Sequence, residues 1–196
     1  MVLEWAVFML EPGKTTMKTN NKKISIIGYG PQAKLVIKFL KNIQDVDLHF
    51  ILVKKNREIS NRKETSSIKN LLDSKIIYTC VPPNENYNII KKLYKMKYKN
   101  YIISEKPVCD QLNQLKKILK FKKNFKEKIF VNFNFPFTKL AKLLNFHMSK
   151  KINGKIKLIY LNISHGAAFK MNKNHWRISS RLGPINGTAI HFIHFL

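Results

Sequence analysis

Residues 23–33 read KISIIGYGPQA and carry the clearest information about the fold. Its opening KISII is rich in isoleucine, which favours a β-strand. GYGPQA at residues 28–33 then places glycines and a proline directly after that strand. Because apolar residues at helical spacing follow as far as Leu40, the stretch predicts a strand, a tight turn and a helix.

The turn has the pattern G-x-G-x-x-A between the predicted strand and the predicted helix. Gly28 permits the tight turn, Gly30 lets the backbone approach a pyrophosphate, and Ala33 allows the helix to pack closely on the strand. Pro31 suits the first helical turn, where free N–H groups and the helix dipole favour a phosphate. The alternative is a turn that merely needs glycines. With strand and helix on either side, the pattern predicts dinucleotide binding.

Further strands and helices alternate along the chain up to about residue 135. This alternation is typical of a parallel sheet with helices on both of its faces. We therefore predict an α/β fold with a doubly wound parallel sheet. The predicted strands are residues 23–27, 48–53, 75–81, 101–104 and 128–133, and the helices after the first are residues 87–96 and 111–125.

The pattern changes after residue 135. Residues 137–148 form an amphipathic helix, and residues 155–164 alternate like a half-exposed antiparallel strand. The chain ends in an apolar pattern without a polar cap, which indicates an interrupted domain. The predicted organisation is an N-terminal extension outside the fold at residues 1–19, a dinucleotide-binding domain at 20–135 and a partial α+β substrate and oligomerisation domain at 136–196.

The 196-residue chain carries a formal net charge of +26, from 37 Lys and Arg against 11 Asp and Glu. Such an excess suggests an anionic partner, and nucleic acid is one candidate. Base recognition and bidentate phosphate contacts rely mainly on arginine, but nearly all the basic residues here are scattered lysines. Solvated surface charge is therefore the favoured interpretation, and a basic nucleic-acid-binding protein is the least favoured functional alternative.

The two cysteines, Cys80 and Cys109, lie far apart and form no CxxC motif. This usage favours a reducing compartment, so a cytoplasmic protein is expected. No uninterrupted apolar stretch of about 18 residues occurs, and no membrane-spanning helix is expected. With 44% hydrophobic residues the chain can form a real core, which argues against general disorder.

The end of the second predicted strand bears on the choice of cofactor. An acidic residue that binds the ribose is expected about 20 residues beyond the glycines, but KKNR follows the strand at residues 54–57. Lys54 and Arg57 at this position suit the 2′-phosphate of NADP. The cofactor expected is NADP or NAD, with NADP slightly favoured. The alternative is that these cations are ordinary surface charge.

Two further motifs come directly after predicted strands, VPPN at residues 81–84 and SEKP at residues 104–107. They are followed in order by GKI at residues 154–156, by Trp176-Arg177 and by a glycine-containing segment that leads to His191. Together with the glycine turn, this ordered set resembles the Gfo/Idh/MocA family of NAD(P)-dependent oxidoreductases over about residues 22–196. The resemblance implies a Rossmann-type sheet followed by an α+β domain. It also implies hydride transfer between C4 of nicotinamide and a hydroxyl or carbonyl carbon of a sugar or sugar-like substrate.

The resemblance implies roles for single residues as well. Lys106 would lie by the nicotinamide and hydrogen-bond the substrate oxygen, and His191 would act as acid/base or orient the substrate. A packed core histidine is the alternative for His191. His194 lies three residues on, but no third ligand is evident and no metal is expected. The residues implied in cofactor binding are Gly28, Gly30, Ala33, Lys54, Arg57, Pro82, Asn84, Glu105, Lys106, Pro107, Trp176 and Arg177.

The chain departs from the family pattern at three positions. Gly187 and His194 stand where members often have aspartate, and Tyr87 stands where they often have histidine. Members also continue through most of a second-domain sheet, which builds the substrate pocket and the interface of a homo-oligomer. The alternative function is therefore a catalytically inactive truncated remnant that at most binds nucleotide. The partner expected of the enzyme is a small molecule, with neither nucleic acid nor membrane.

Overall fold

The computed structural model describes residues 22–53, 64–133, 138–149 and 154 of the chain. Its strands are β1 (Lys22–Ile27), β2 (Val46–Leu52), β3 (Glu64–Thr65), β4 (Ile76–Thr79), β5 (Tyr101–Glu105) and β6 (Ile129–Asn132). Its α-helices are α1 (Pro31–Leu40), α2 (Pro83–Lys95), α3 (Leu112–Leu119), α4 (Lys123–Lys126) and α5 (Lys139–Ser149), with a short 3₁₀ helix at Ile68–Leu71.

The strands form one sheet in the order β3-β2-β1-β4-β5-β6, and each neighbouring pair is parallel. The chain proceeds from β1 towards one edge of the sheet and then returns to place β4 on the other side of β1. This reversal of direction at the centre defines a doubly wound sheet. The fold predicted from the alternation of strands and helices is therefore confirmed.

The central strands are apolar because a parallel sheet is covered on both faces. Ile24 and Ile26 of β1 and Ile77 of β4 are all 0% exposed. Ser25 lies between the two β1 isoleucines, and its hydroxyl lies 2.6 Å from the hydroxyl of Ser74 in a buried hydrogen bond. That hydrogen bond offsets the cost of placing a hydroxyl in the core.

Two helices differ from the sequence prediction. Helix α2 begins at Pro83, four residues before the predicted start, since proline at the first helical position loses no hydrogen bond. The helix predicted at residues 111–125 is divided into α3 and α4. The break lets Phe121 stack on Tyr94 with ring centroids 4.2 Å apart, and Phe125 is buried beside them. Aromatic packing thus overrides the continuous helical pattern.

Helix α5 lies in the second of two compact units into which the chain divides. The N–H of Ala141 donates to the hydroxyl of Thr138 at 3.1 Å, a contact typical of a helix N-terminus. Ala141 is buried, while other apolar side chains of the helix are exposed. The amphipathic helix expected at residues 137–148 is confirmed, with a start two residues later. The domain boundaries at residues 19 and 135 remain predictions.

Candidate cofactor-binding site

The turn between β1 and α1 requires glycine at position 28. Gly28 has a φ of 103°, a conformation that residues with a side chain rarely adopt. A Cβ added there would overlap the carbonyl oxygen of Cys80 and would lie 3.2 Å from a methyl group of Val81. The N–H of Gly28 donates to the carbonyl of Leu52 at 3.0 Å. Close approach of the backbones therefore holds the turn against the ends of β2 and β4.

Gly30, unlike Gly28, has open space where a side chain would be. It precedes α1 with a φ of −74°, and a Cβ placed there would have nothing within 4 Å. The first hydrogen bond of α1 runs from the N–H of Lys34 to the carbonyl of Gly30 at 3.0 Å. The N–H groups of Gln32 and Ala33 thus have no carbonyl partner within the helix, and they can bind an anion. Ala33 itself is 0% exposed, as close packing of helix on strand requires.

A cleft of about 590 Å³ opens above this turn. It lies where β1 and β4 diverge, which is the place where doubly wound sheets bind their ligands. Its walls are mainly apolar and suit the flat rings of a nucleotide, while the N-terminus of α1 suits the phosphates. The residues present therefore fit a dinucleotide. The cleft is lined by Ile27, Gly28, Tyr29, Gly30, Leu52, Val53, Cys80, Val81, Pro82, Glu85 and Ile89.

A cluster of polar side chains lies on the other half of the sheet. We call it the Glu105 cluster (Gln32, Tyr78, Glu105 and Asn132). One carboxylate oxygen, Glu105 Oε1, accepts hydrogen bonds from the hydroxyl of Tyr78 at 2.5 Å and from Asn132 Nδ2 at 2.9 Å. Gln32 Nε2 donates to the same oxygen at 3.2 Å. Asn132 Nδ2 also donates to the Tyr78 hydroxyl at 2.7 Å. The cluster joins β4, β5, β6 and the first turn of α1.

Asn86 of α2 secures the segment that contains Glu105-Lys106-Pro107. Its side chain is 1% exposed. Its Nδ2 donates to the hydroxyl of Ser104 at 2.6 Å and to the carbonyl of Val108 at 3.0 Å. These two residues flank the segment, so one amide group holds both of its ends. The peptide bond between Lys106 and Pro107 is cis.

Burial determines the protonation of two groups near the site. It raises the pKa of the Tyr78 hydroxyl far above its ordinary value, and the negative charge of Glu105 adds to the effect. Burial also raises the pKa of the Cys80 thiol, with a further contribution from Glu105. Both groups are therefore protonated at neutral pH. Tyr78 is a permanent hydrogen-bond donor, and Cys80 is a weak nucleophile.

The predicted site residues divide into three groups. Gly28, Gly30 and Pro82 line the cleft, with Ala33 buried beneath the turn. Lys106 and Pro107 are half-buried next to Glu105, and Asn84 is exposed on α2 and does not line the cleft. The predicted residues outside the described ranges are Lys54, Arg57, Trp176, Arg177 and His191. The roles assigned to all of these residues remain predictions.

Sequence reasoning missed Gln32, Tyr78, Asn86 and Asn132. For Asn86 a signal existed, because it shares a helical face with Ile90 and Leu93, and both of these are 0% exposed. A polar residue on a buried face needs partners. Tyr78 and Asn132 lie in apolar strands far apart in sequence, and no local pattern relates them.

Two structural findings concern other classes of function. No helix among the described residues is long and apolar enough to cross a membrane. Within the same residues, no cluster of three His, Cys, Asp or Glu side chains is arranged to hold a metal ion.

Three of the solved structures similar to this chain are bacterial proteins described as an oxidoreductase or a dehydrogenase. An NADPH-dependent oxidoreductase from Desulfitobacterium hafniense matches with a TM-score of 0.73 and 15% identity, over 90% of this chain and 54% of its own. A scyllo-inositol dehydrogenase from Lactobacillus casei matches with a TM-score of 0.57 and 14% identity, over 71% and 44% of the two chains. A D-galactose-1-dehydrogenase from Rhizobium etli matches with a TM-score of 0.56 and 12% identity, over 69% and 44%.

These similarities establish the fold, and this chain spans about half the length of the proteins it matches. No curated protein sequence matches it. The model of the GFO_IDH_MocA family, described as an oxidoreductase family with an NAD-binding Rossmann fold, matches residues 22–133. That match covers more than half of the chain and supports the expected cofactor class, NAD or NADP. The chain belongs to the Gfo/Idh/MocA family of oxidoreductases.

Proposed function

We propose that the chain binds NADP or NAD and takes part in hydride transfer to or from a sugar or sugar-like small molecule. The observation that carries this proposal is the glycine turn at residues 28–33. Gly28 is closed in by the Cys80 carbonyl, while the space beside Gly30 is open at the N-terminus of α1. A pyrophosphate needs this combination, namely a tightly held turn and an unobstructed approach to free N–H groups.

In this proposal the two halves of the sheet bind different parts of the cofactor. Gly28, Gly30 and Ala33 serve the pyrophosphate, and the cleft walls at Leu52 and Val53 serve the adenosine. The second half of the sheet, with Glu105, Lys106 and Pro107, serves the nicotinamide side, together with the predicted contacts Pro82, Asn84, Trp176 and Arg177. This division follows from two mononucleotide-binding halves that meet at β1 and β4.

The proposed reaction transfers a hydride to or from the substrate carbon and a proton to or from the substrate oxygen. A bound nicotinamide supplies or accepts the hydride. In this proposal Lys106 hydrogen-bonds the substrate oxygen through its Nζ and passes the proton to or from it. His191 assists as acid/base or orients the substrate. Support for Lys106 comes from its place next to Glu105, which three hydrogen bonds hold at the end of β5.

The choice between NADP and NAD depends on charges around the adenosine ribose. Lys54 and Arg57 follow the β2 region and favour a 2′-phosphate, which is why we propose NADP slightly ahead of NAD. Glu85 acts in the opposite direction, because it is the one charged side chain among the described residues that line the cleft. A carboxylate there repels a phosphate and can accept a hydrogen bond from a free ribose hydroxyl.

Sugar or polyol chemistry is proposed on the family membership and on two similar structures, a scyllo-inositol dehydrogenase and a D-galactose-1-dehydrogenase. We propose that residues 20–135 form the cofactor domain and residues 136–196 contribute to a substrate and oligomerisation domain. An inactive nucleotide-binding remnant is the alternative. It predicts cofactor binding without turnover.

Fluorescence titration with NADPH and NADH tests the proposal, at low and at high salt. We expect saturable binding that persists at high salt, and a loss of affinity of at least about 30-fold in Gly30→Asp, because the new carboxylate would face the pyrophosphate. Failure of both nucleotides to bind a folded sample would refute the proposal.

Two further experiments distinguish the proposed enzyme from a nucleic-acid-binding protein and from an inactive remnant. A nucleic-acid-binding protein would bind DNA or RNA with an affinity that falls steeply with salt and would not respond to NADPH. Incubation with D-galactose or scyllo-inositol, followed by the absorbance of the reduced cofactor, separates the active enzyme from the remnant.

A further inference from the structure

The Glu105 cluster concentrates its hydrogen bonds on one oxygen of one carboxylate. Oε1 receives donors from α1, β4 and β6. Within the described part of the chain, no donor reaches the second oxygen, Oε2, and Glu105 is only half-buried. Three donors at fixed distances from separate elements restrict the carboxylate to one orientation, which a single hydrogen bond does not achieve.

The three groups that bind Oε1 act as hydrogen-bond donors. Tyr78 is 1% exposed, and burial raises the pKa of its hydroxyl so that it stays protonated. Asn132 and Gln32 carry amides that cannot ionise. Hydrogen bonds to a carboxylate oxygen are stronger than those between neutral groups, so these donors hold the side chain in place. Among the described residues, the donors to Glu105 therefore all occupy Oε1 and leave Oε2 available as an acceptor.

The position of this oxygen indicates its ligand. Glu105 ends β5, in the half of the sheet that receives the second mononucleotide of a dinucleotide. A carboxylate is the usual partner of ribose hydroxyls in such folds, as at the adenosine end. We propose that Tyr78, Asn132 and Gln32 are positioning residues that orient Glu105 Oε2 to accept hydrogen bonds from the nicotinamide-side ribose. This inference rests on the proposed function.

Gln32 gives the arrangement a second consequence. It lies in the first turn of α1, beside the N–H groups that face the pyrophosphate, and its side chain reaches Glu105. This hydrogen bond connects the helix terminus where the pyrophosphate would bind to the carboxylate proposed to bind the ribose.

The experiment compares two ligands on four proteins. NADH contains the nicotinamide-side ribose, whereas ADP carries only the adenosine and the pyrophosphate. The proteins are the wild type, Tyr78→Phe, Gln32→Ala and the control Tyr98→Phe. The control removes a buried hydroxyl that donates to the Ser74 carbonyl at 2.9 Å, before the start of β4 and away from the carboxyl ends of the strands.

We expect Tyr78→Phe to weaken NADH binding by about tenfold and to leave ADP binding within about twofold, because Glu105 loses one donor and Asn132 Nδ2 loses one of its two acceptors. Gln32→Ala should weaken NADH by about threefold. Its side chain is exposed, so it tests the inference even if Tyr78→Phe fails to fold. Tyr98→Phe should leave the affinity for both ligands within about twofold, although it lowers stability.

Two results would overturn the positioning role while the proposed function stands. One is unchanged NADH affinity in both Tyr78→Phe and Gln32→Ala. The other is a parallel loss of NADH and ADP affinity, which would indicate general disturbance of the domain. If the wild type bound neither ligand, the proposed function would fail, and this inference with it.

Discussion

The glycine turn (residues 28–33) and the Glu105 cluster both lie at the carboxyl ends of the strands of one sheet, but they are built in opposite ways. The turn depends on backbone groups and on the absence of side chains, because Gly28 fits only without a Cβ and Gly30 leaves open space. In the cluster, side chains from separate elements converge on one oxygen atom. A backbone site should therefore fail when atoms are added, and a side-chain site should weaken stepwise as hydrogen bonds are removed.

The largest effect is expected for Gly28→Ala. The new Cβ would overlap the Cys80 carbonyl, and alanine would have to adopt a φ of 103°. Strain and overlap together should lower the free energy of unfolding by about 3 kcal/mol. Urea denaturation followed by circular dichroism measures the change. A stability equal to that of the wild type would show that the turn is not held as tightly as the geometry indicates.

A smaller loss of about 2 kcal/mol is expected for Asn86→Ala, since it leaves the Val108 carbonyl without its partner and opens a space in the core. Asn88→Ala is the matched control, because Asn88 is an exposed asparagine on the same helix. It should change stability by less than about 0.5 kcal/mol. Similar results for the two variants would contradict the role of Asn86 as the support of the Glu105-Lys106-Pro107 segment.

The thiol of Cys80 tests the electrostatics between the two regions. Its pKa is raised by burial and by Glu105, so less thiolate is present at any pH below that pKa. Iodoacetamide at about pH 8 should modify Cys80 at least about tenfold more slowly than free cysteine, whose pKa is about 8.5. Peptide mass spectrometry distinguishes Cys80 from Cys109. Rapid modification of Cys80 would mean that it is more open or less affected by Glu105 than the structure indicates.

The smallest effect on stability is expected for Gly30→Ala. Its φ of −74° is open to any residue, and no atom lies within 4 Å of the added Cβ. The free energy of unfolding should stay within about 0.5 kcal/mol of the wild type. Affinity for NADPH and NADH should nevertheless fall, because the methyl group occupies the approach to the pyrophosphate. A loss of stability comparable to that of Gly28→Ala would remove the distinction between the two glycines.

Local patterns predicted most of the sheet and its helices. The β1 turn and α1 follow from isoleucines, glycines and a proline within eleven consecutive residues at 23–33, where neighbours in sequence are also neighbours in space. Prediction failed where a distant contact decided the local structure. The break before α4 accompanies the packing of Phe121 against Tyr94. The two residues of β3 are extended where they pair with the distant strand β2.

Three features could be predicted from the amino-acid sequence without any structure. They are the glycine turn, the alternation of strands and helices that indicates a parallel sheet, and the family resemblance carried by the Glu105-Lys106-Pro107 motif. Each of these is written in residues that are close together in the chain. The three-dimensional structure was needed to show that Tyr78, Asn132 and Gln32 meet at one oxygen of Glu105 and that Asn86 holds the adjoining segment. These hydrogen bonds between side chains depend on the register of β4, β5 and β6 and on the position of α1. No local pattern of residues encodes either of them.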